Sequence, residues 1–106
     1  MNADGKVADI LEKSIDYPCV IFKSNANNGV YTVNVPDVTG AVGKDSNEEK
    51  SIQSAVDDTE DILSHQGNYP TPSDLSSIAR EFPQAEVRLM SLDLAEIVAR
   101  RKKLNA

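Results

Sequence analysis

The residues of this sequence that could form a functional site are the acidic side chains between Asp45 and Asp61. Seven acids and one base, Lys50, lie in this stretch, and together they carry the whole net charge of −6. Elsewhere ten acids and ten bases cancel. Carboxylates at this density repel nucleic acid and attract basic partners. The charge pattern therefore fits either a solvated helix face, which is the commoner case, or a binding surface for a basic protein.

Other reactive side chains are scarce. Cys19 is the one cysteine and lies in an apolar stretch, and His65 is the one histidine and lies near a predicted helix end. The sequence contains neither a Gly-rich phosphate loop nor a Ser–His–Asp set. We interpret Cys19 as a core residue and His65 as a residue that interacts favourably with the helix dipole. We expect no catalysis, no metal and no cofactor.

Composition limits the cellular setting. The 106 residues fit one domain. A single cysteine excludes an intrachain disulfide and is typical of a reducing compartment. No apolar run approaches the roughly 18 residues of a membrane span, and no signal peptide is visible. We therefore expect a cytoplasmic protein with no membrane association.

The elements that carry the acids begin with a hairpin. Aromatic and β-branched residues predict strands over 17–24 and 30–35, joined by the turn 25–29, and a short third strand over 41–44. Pro36 ends the second strand, and Asp37 is suited to hydrogen-bonding the following turn. An amphipathic helix is predicted before the hairpin, over 7–15, from the spacing of Val7, Ile10, Leu11, Ser14 and Ile15.

A long helix should hold most of the acids. Ser46 and Glu49 form a capping box, and Gly67 ends the helix. Its apolar face is predicted to comprise Ile52, Ala55, Val56, Thr59, Ile62 and Leu63, and its outer face Asp57, Asp58, Glu60 and Asp61.

Three elements follow the long helix. They are a short helix capped by Thr71, a strand over 86–92, and a last helix capped by Asp93 and ending in the cations 100–103. We predict an α+β fold in which one long helix packs on a three- to four-stranded antiparallel sheet, with the last strand beside the first. The domain should span 1–106, with its core at 17–94, an N-terminal extension over 1–16 and a short basic helix over 95–106.

Five short motifs in this order resemble the HicB antitoxins of bacterial type II toxin–antitoxin systems. They are Tyr17-Pro18, Gly29 with Tyr31, Pro36-Asp37 with Gly40, Glu48-Glu49, and Pro70 with Pro72 and Ser73. The stretch 87–94 resembles the last strand of that family. Two departures are Ala41, where the family often has cysteine, and Gly43, which falls where a Thr-x-Gly is common.

The resemblance implies a partial ribonuclease H-like fold and a partner of the HicA type, a small basic ribonuclease. The antitoxin would mask that toxin by steric and electrostatic occlusion. The candidate toxin-binding residues are Asp37, Asp45, Glu48, Asp57, Asp58 and Asp61. Exposed sheet edges favour a homodimer or homotetramer.

Two other classes of function were weighed. A ribonuclease H-like nuclease needs a carboxylate in its first strand, and residues 19–22 offer none. A solitary nucleic-acid-binding or regulatory protein would use Arg100, Arg101, Lys102 and Lys103. Many HicB proteins carry a further DNA-binding segment, whereas residues 95–106 allow only one short helix, which argues against autoregulation.

Overall fold

The computed structural model describes residues 13–24 and 29–104, which form four strands and three helices. In chain order they are β1 (Ser14–Lys23), β2 (Tyr31–Asn34), β3 (Val42–Asp45), α1 (Glu48–Gln66), α2 (Leu75–Glu81), β4 (Glu86–Asp93) and α3 (Leu94–Leu104). The predicted α+β architecture is confirmed, and the long helix is α1.

The four strands form one antiparallel sheet in the order β3-β2-β1-β4. The backbone N–H of Ser24 donates to the carbonyl of Val30 at 2.9 Å and closes the β1–β2 hairpin. β4 returns to lie beside β1, as predicted, and pairs with it from Ser14 to Ile21. Within the described chain, β3 and β4 are therefore the two edge strands.

One face of the sheet carries the main core. Tyr17 lies opposite Met90, and Ile21 lies opposite Val33, so these side chains share a face, and all four are buried. α1 and α3 cover this face, and their buried residues Ala55, Leu63 and Ile97 join the same cluster. On the opposite face, Phe82 at the end of α2 meets the ring of Phe22 edge-on at 6.4 Å.

Gly43 allows α1 to lie directly against β3. A Cβ atom at this position would stand 2.3 Å from the carbonyl oxygen of Ser51 and 2.4 Å from the backbone nitrogen of Ala55. Only a residue without a side chain fits such a close approach of helix and strand. The buried stripe of α1 is correspondingly made of small residues, with Ser51, Ala55 and Thr59 fully buried.

The start of α1 lies one residue later than the capping box predicts. Asn47, not Ser46, is the N-cap, and its side chain accepts from the N–H of Lys50 at 2.9 Å. Glu49 does not reach back to the cap but pairs with Arg88 at 3.3 Å. Asparagine and serine are equally good N-caps. The register of α1, which brings Ser51 against Gly43, therefore decides that Asn47 and not Ser46 is the N-cap. Gly67 ends α1 in the left-handed conformation, with φ 84°, as predicted.

Two other helix predictions need correction. The predicted helix over 7–15 falls mostly outside the described residues, and its last two residues, Ser14 and Ile15, belong to β1. The helix predicted from Thr71 begins at Leu75, with Asp74 as its N-cap. The intervening residues stay outside the helix, where Asp37 binds the backbone N–H and the hydroxyl of Ser73, at 2.8 and 2.5 Å.

Candidate partner-binding surface

The acidic side chains of α1 point in three directions. Ser51, Ala55, Thr59 and Leu63 face the sheet and are fully buried. The buried hydroxyls are satisfied within the helix, because Ser51 donates to the carbonyl of Glu48 and Thr59 to that of Ala55, each at 2.6 Å. One group of acids consequently faces α3, one lies at the start of α1 facing β4, and one lies beside β3.

The acids that face α3 are bound by Arg100. Its guanidinium lies 2.6 Å from Asp57, 3.4 Å from Glu60 and 3.0 Å from Glu96. It also donates to the backbone carbonyl of Asp57 at 3.0 Å. These partners raise the pKa of Arg100 further above its usual value, chiefly through the hydrogen bond to Asp57. The candidate site residue Asp57 is thus part of an internal ion-pair network.

Glu60 does not lie on the outer face of α1, where the sequence analysis placed it. It is only 6 % exposed, and its carboxylate accepts from the backbone N–H of Asp93 at 2.9 Å. Burial raises the pKa of Glu60, while the Asp93 amide and Arg100 act in the opposite direction. Glu60 therefore fastens α1 to the junction of β4 and α3.

The acids at the start of α1 are paired with Arg88 of β4. Its guanidinium lies 3.5 Å from Glu48 and 3.3 Å from Glu49. Nearby, the pKa of Glu86 is raised, first by burial and second by the neighbouring Glu48 carboxyl. The candidate residue Glu48 thus belongs to a mixed cluster of acids and one arginine that spans the start of α1 and β4.

Three candidate acids remain, and we call them the edge acids: Asp45 at the end of β3, Asp58 of α1, and Asp61 one turn further along α1. Asp58 accepts from the backbone N–H of Val42 at 2.9 Å, and Asp45 accepts from that of Asn47 at 2.9 Å. Across residues 13–24 and 29–104, no lysine or arginine forms an ion pair with any of them. From Asp45 they follow α1 for about 20 Å.

Asp37 is held away from the edge acids by its two bonds to Ser73. It is half-buried. The pKa of Tyr17 is raised chiefly by the burial of Tyr17 itself and next by the negative charge of Asp37. The Tyr17 hydroxyl donates to the carbonyl of Pro70 at 2.7 Å. Asp37 and Tyr17 therefore fasten the segment between α1 and α2. Asp37 lies in a turn, as predicted, but its carboxylate binds Ser73 and not the amides of the following turn.

The four C-terminal cations do not act as one cluster. Arg100 is held by acids, and Arg101 donates to the carbonyls of Leu63 and Ser64 at 3.0 and 3.3 Å. Arg101 also stacks over the ring of Tyr69 at 5.6 Å. It thereby satisfies the free carbonyls at the end of α1, a role for which the sequence gave no signal. Lys102 and Lys103 are exposed.

The remaining reactive groups, Cys19 and His65, have local structural surroundings within the described part of the chain. Cys19 is fully buried, and burial raises the pKa of its thiol. His65 Nδ1 lies 2.8 Å from the carbonyl of Asp61, one turn earlier in α1. The described part of the chain brings no three His, Cys, Asp or Glu residues together as a metal site. None of its helices is both long and apolar enough to cross a bilayer.

Comparison with known proteins rests on structure. No protein-family model and no curated protein sequence matches the chain. The N-terminal domain of the Burkholderia pseudomallei antitoxin HicB superposes with a TM-score of 0.62 at 22 % identity, covering 74 % of this chain and 99 % of that domain. The structure of the Burkholderia pseudomallei antitoxin HicB gives a TM-score of 0.66 at 22 % identity, covering 80 % of this chain and 68 % of that one. The chain has a HicB-like fold.

Three of the motifs that carried the resemblance to HicB contact one another in this fold. Tyr17 of the first motif bonds to Pro70 of the last, and Asp37 of the third bonds to Ser73 of the last. Glu48 and Glu49 begin α1 and meet Arg88. The predicted HicB-like fold is therefore confirmed, and these four motif residues join the strands to the segment between α1 and α2.

Proposed function

We propose that this protein is an antitoxin that binds a small basic ribonuclease of the HicA type and blocks it by covering its RNA-binding surface. The HicB-like fold supports the class of function. The observation that carries the charge mechanism is that the edge acids have no ion-pair partner among the described residues, whereas Arg88 and Arg100 engage the other acids of α1. Unpaired carboxylates remain available to a partner's lysines and arginines.

The edge acids also lie next to an unpaired strand. β3 pairs with β2 on one side only, so a partner bound along its other side would meet Asp45, Asp58 and Asp61. A toxin that binds RNA must present a positive surface, and RNA competes for the same cations. Occupying that surface inhibits without any chemistry on the antitoxin. Among the candidate residues, the edge acids then make the contact, and Asp37, Glu48 and Asp57 shape the scaffold.

The proposal includes a setting and an assembly. The chain acts as a single HicB-like domain in the cytoplasm, where a lone thiol remains reduced. It assembles as a homodimer or homotetramer that covers part of its exposed sheet edges. It performs no catalysis. DNA binding through 100–103 is disfavoured, because Arg100 and Arg101 are engaged within the fold.

A matched pair of charge reversals tests the proposal. Asp61→Lys and Glu81→Lys change the net charge equally, and both residues are exposed on helices, α1 and α2 respectively. The probe is the product of the neighbouring gene, which the proposal requires to be a small basic protein, and the measurements are its dissociation constant and its RNA cleavage. We expect Asp61→Lys to weaken binding about tenfold or more and to relieve inhibition. Glu81→Lys should leave both unchanged.

Salt provides a second test. Affinity should fall steeply as ionic strength rises, because screening weakens contacts between exposed charges. Equal affinities for the two variants, or an affinity that does not change with salt, would refute the assignment of the edge acids. Failure of the wild-type protein to bind or inhibit the neighbouring gene product would refute the antitoxin function itself.

A further inference from the structure

Backbone groups on the outer side of β4 point away from the sheet. The N–H of Leu94, directly after β4, donates to the carbonyl of Lys13, directly before β1, at 3.4 Å. Groups two residues apart in an antiparallel strand point the same way, so the even-numbered residues of β4 bond to β1. The odd-numbered residues point outwards, and they are Val87, Leu89, Ser91 and Asp93.

Internal hydrogen bonds close this outer side at both of its ends. The N–H of Asp93 donates to the Glu60 carboxylate at 2.9 Å, and that of Ala85 donates to the carbonyl of Phe82 at 3.1 Å. Between these two ends, the N–H groups of three residues have no hydrogen-bond partner among residues 13–24 and 29–104; they are Val87, Leu89 and Ser91. The free stretch is therefore symmetric about Leu89.

The other edge strand, β3, is protected in ways that β4 is not. Natural edge strands avoid pairing by being short, by carrying lysine or proline, by bulging, or by being covered. β3 has four residues, carries Lys44, and has the N–H of Val42 bound by Asp58 at 2.9 Å. β4 has eight residues, contains neither lysine nor proline, and pairs with β1 without a bulge over its whole length. Of the two edges, β4 is the one suited to pairing with another strand.

We propose that β4 pairs antiparallel with β4 of a second copy of this chain, with Leu89 opposite Leu89 on a two-fold axis. This register places Val87 opposite Ser91 of the second copy. It uses all three free N–H groups of both chains, so that six backbone hydrogen bonds join the two sheets. Any other register would bring in Ala85 or Asp93, whose N–H groups are already bonded.

The symmetry of the free stretch identifies the occupant as a second copy. A two-fold interface needs a surface that is complementary to itself. The free groups of β4 read the same in both directions from Leu89, and the closing bonds at 85 and 93 lie equally far from it. A strand of another protein would have to reproduce this pattern, whereas a second copy has it already.

The side chains of β4 fit the same register. Leu89 is 52 % exposed, more than any other large apolar side chain of the described residues, and pairing would set the two copies of it side by side. Like charges would not be directly opposed, because Glu86 would face Leu92 and Arg88 would face Met90 of the second copy. Arg88 is moreover already paired with the acids at the start of α1.

This inference specifies the assembly included in the proposed function and rests on that part alone. β3 and β4 are the opposite edges of the sheet, so pairing through β4 leaves β3 and the edge acids Asp45 and Asp58 accessible. The assembly would then present one toxin-binding surface at each end. Because the pairing does not need the toxin, it can be tested without it.

A charge introduced at Leu89 tests the interface in the full-length chain. Leu89→Lys places two like charges opposite each other on the two-fold axis, and the control Val42→Lys adds the same charge at an exposed position of β3. Both side chains lie outside the buried core cluster, so the fold should survive. Sedimentation equilibrium over a range of concentrations measures the mass of each assembly.

We expect Leu89→Lys to halve the mass of the assembly, from dimer to monomer or from tetramer to dimer. The dissociation constant of this step should rise by about tenfold or more. Val42→Lys should leave the mass unchanged. A monomeric wild type, or a Leu89→Lys variant with the wild-type mass, would overturn the proposal, and loss of assembly in Val42→Lys alone would identify β3 as the interface instead.

Mixing two variants tests the register. Leu89→Glu alone should disrupt the pair as Leu89→Lys does, because each sets like charges opposite each other. An equimolar mixture should recover the wild-type mass, because only a register that joins position 89 to itself sets an ammonium group opposite a carboxylate. Failure of the mixture to recover would overturn the register centred on Leu89.

Hydrogen exchange locates the contact on the backbone. At equal concentration, the amides of Val87, Leu89 and Ser91 should exchange more slowly in wild type than in Leu89→Lys, and equal rates would contradict pairing through β4. Toxin inhibition is measured separately. A monomeric wild type that still inhibits would overturn only this inference, and an assembled wild type that does not inhibit would overturn only the antitoxin function.

Discussion

Replacing Gly43 by alanine tests whether the close approach of α1 to β3 controls the stability of this fold. The new Cβ atom would stand 2.3 Å from the carbonyl oxygen of Ser51 and 2.4 Å from the backbone nitrogen of Ala55. Ordinary contact begins at 3.4 Å. Because both neighbours are helix backbone, no side chain can rotate away, and α1 must retreat from β3 by about 1 Å.

The cost of that retreat has two parts. Overpacking of a filled interior costs about 1–3 kcal/mol. A gap of about 1 Å along the rest of the interface loses up to roughly half of the dispersion attraction there. We therefore expect the free energy of unfolding to fall by about 3 kcal/mol, which is a large share of the roughly 5–15 kcal/mol of a typical domain.

Urea denaturation followed by circular dichroism measures this effect. With a slope of about 1.5 kcal/mol per molar, the midpoint should fall by about 2 M. Gly67→Ala is the matched control, because Gly67 has φ 84° and no atom within 4 Å of a new Cβ. It should cost only the left-handed backbone strain of about 1 kcal/mol. Equal midpoints for the two variants would refute the close-packing argument.

Three further predictions concern the polar contacts. Arg100→Gln should lower the unfolding free energy by about 2 kcal/mol, because it leaves buried Glu60 without its cation, whereas Lys102→Gln should change it little; equal effects in thermal melts would contradict the network. Burial raises the pKa of Glu60, so its contribution to stability is present below the ordinary glutamate pKa and is lost as pH rises through the folded-state pKa. The advantage of wild type over Glu60→Gln should therefore be largest near pH 4 and shrink towards pH 7 in urea titrations; a constant difference would contradict the burial effect. Tyr17→Phe should cost about 1 kcal/mol by removing the bond to Pro70, and an unchanged midpoint would show that water replaces it.

Local sequence patterns predicted the elements better than their boundaries. The alternating strands, Gly67 at the end of α1 and Asp93 at the start of α3 depend on near neighbours, so they could be predicted. Asp93 indeed accepts from the N–H of Ala95 at 2.9 Å. The start of α2 could not be predicted, because Asp37, 36 residues away, binds Ser73 and holds it outside the helix.

For the candidate site, the sequence predicted where the negative charge lies but not which acids are bound within the fold. The count of acids between Asp45 and Asp61 located the negative charge correctly along α1. It could not show that Arg88 and Arg100, about 40 residues later, would bind four of those acids. Helical periodicity also placed Glu60 outside, because that pattern cannot foresee that α3 would cover this flank of α1.

The bonds from Tyr17 to Pro70 and from Asp37 to Ser73 bear on how such proteins diverge. Both bonds join the region of the β1–β2 hairpin to the segment between α1 and α2, and neither involves β3. The contacts that fix this architecture are therefore separate from the carboxylates at 45, 58 and 61, which can change without breaking either bond. A comparison based on the motifs then reports the fold and is insensitive to the residues proposed to contact a partner.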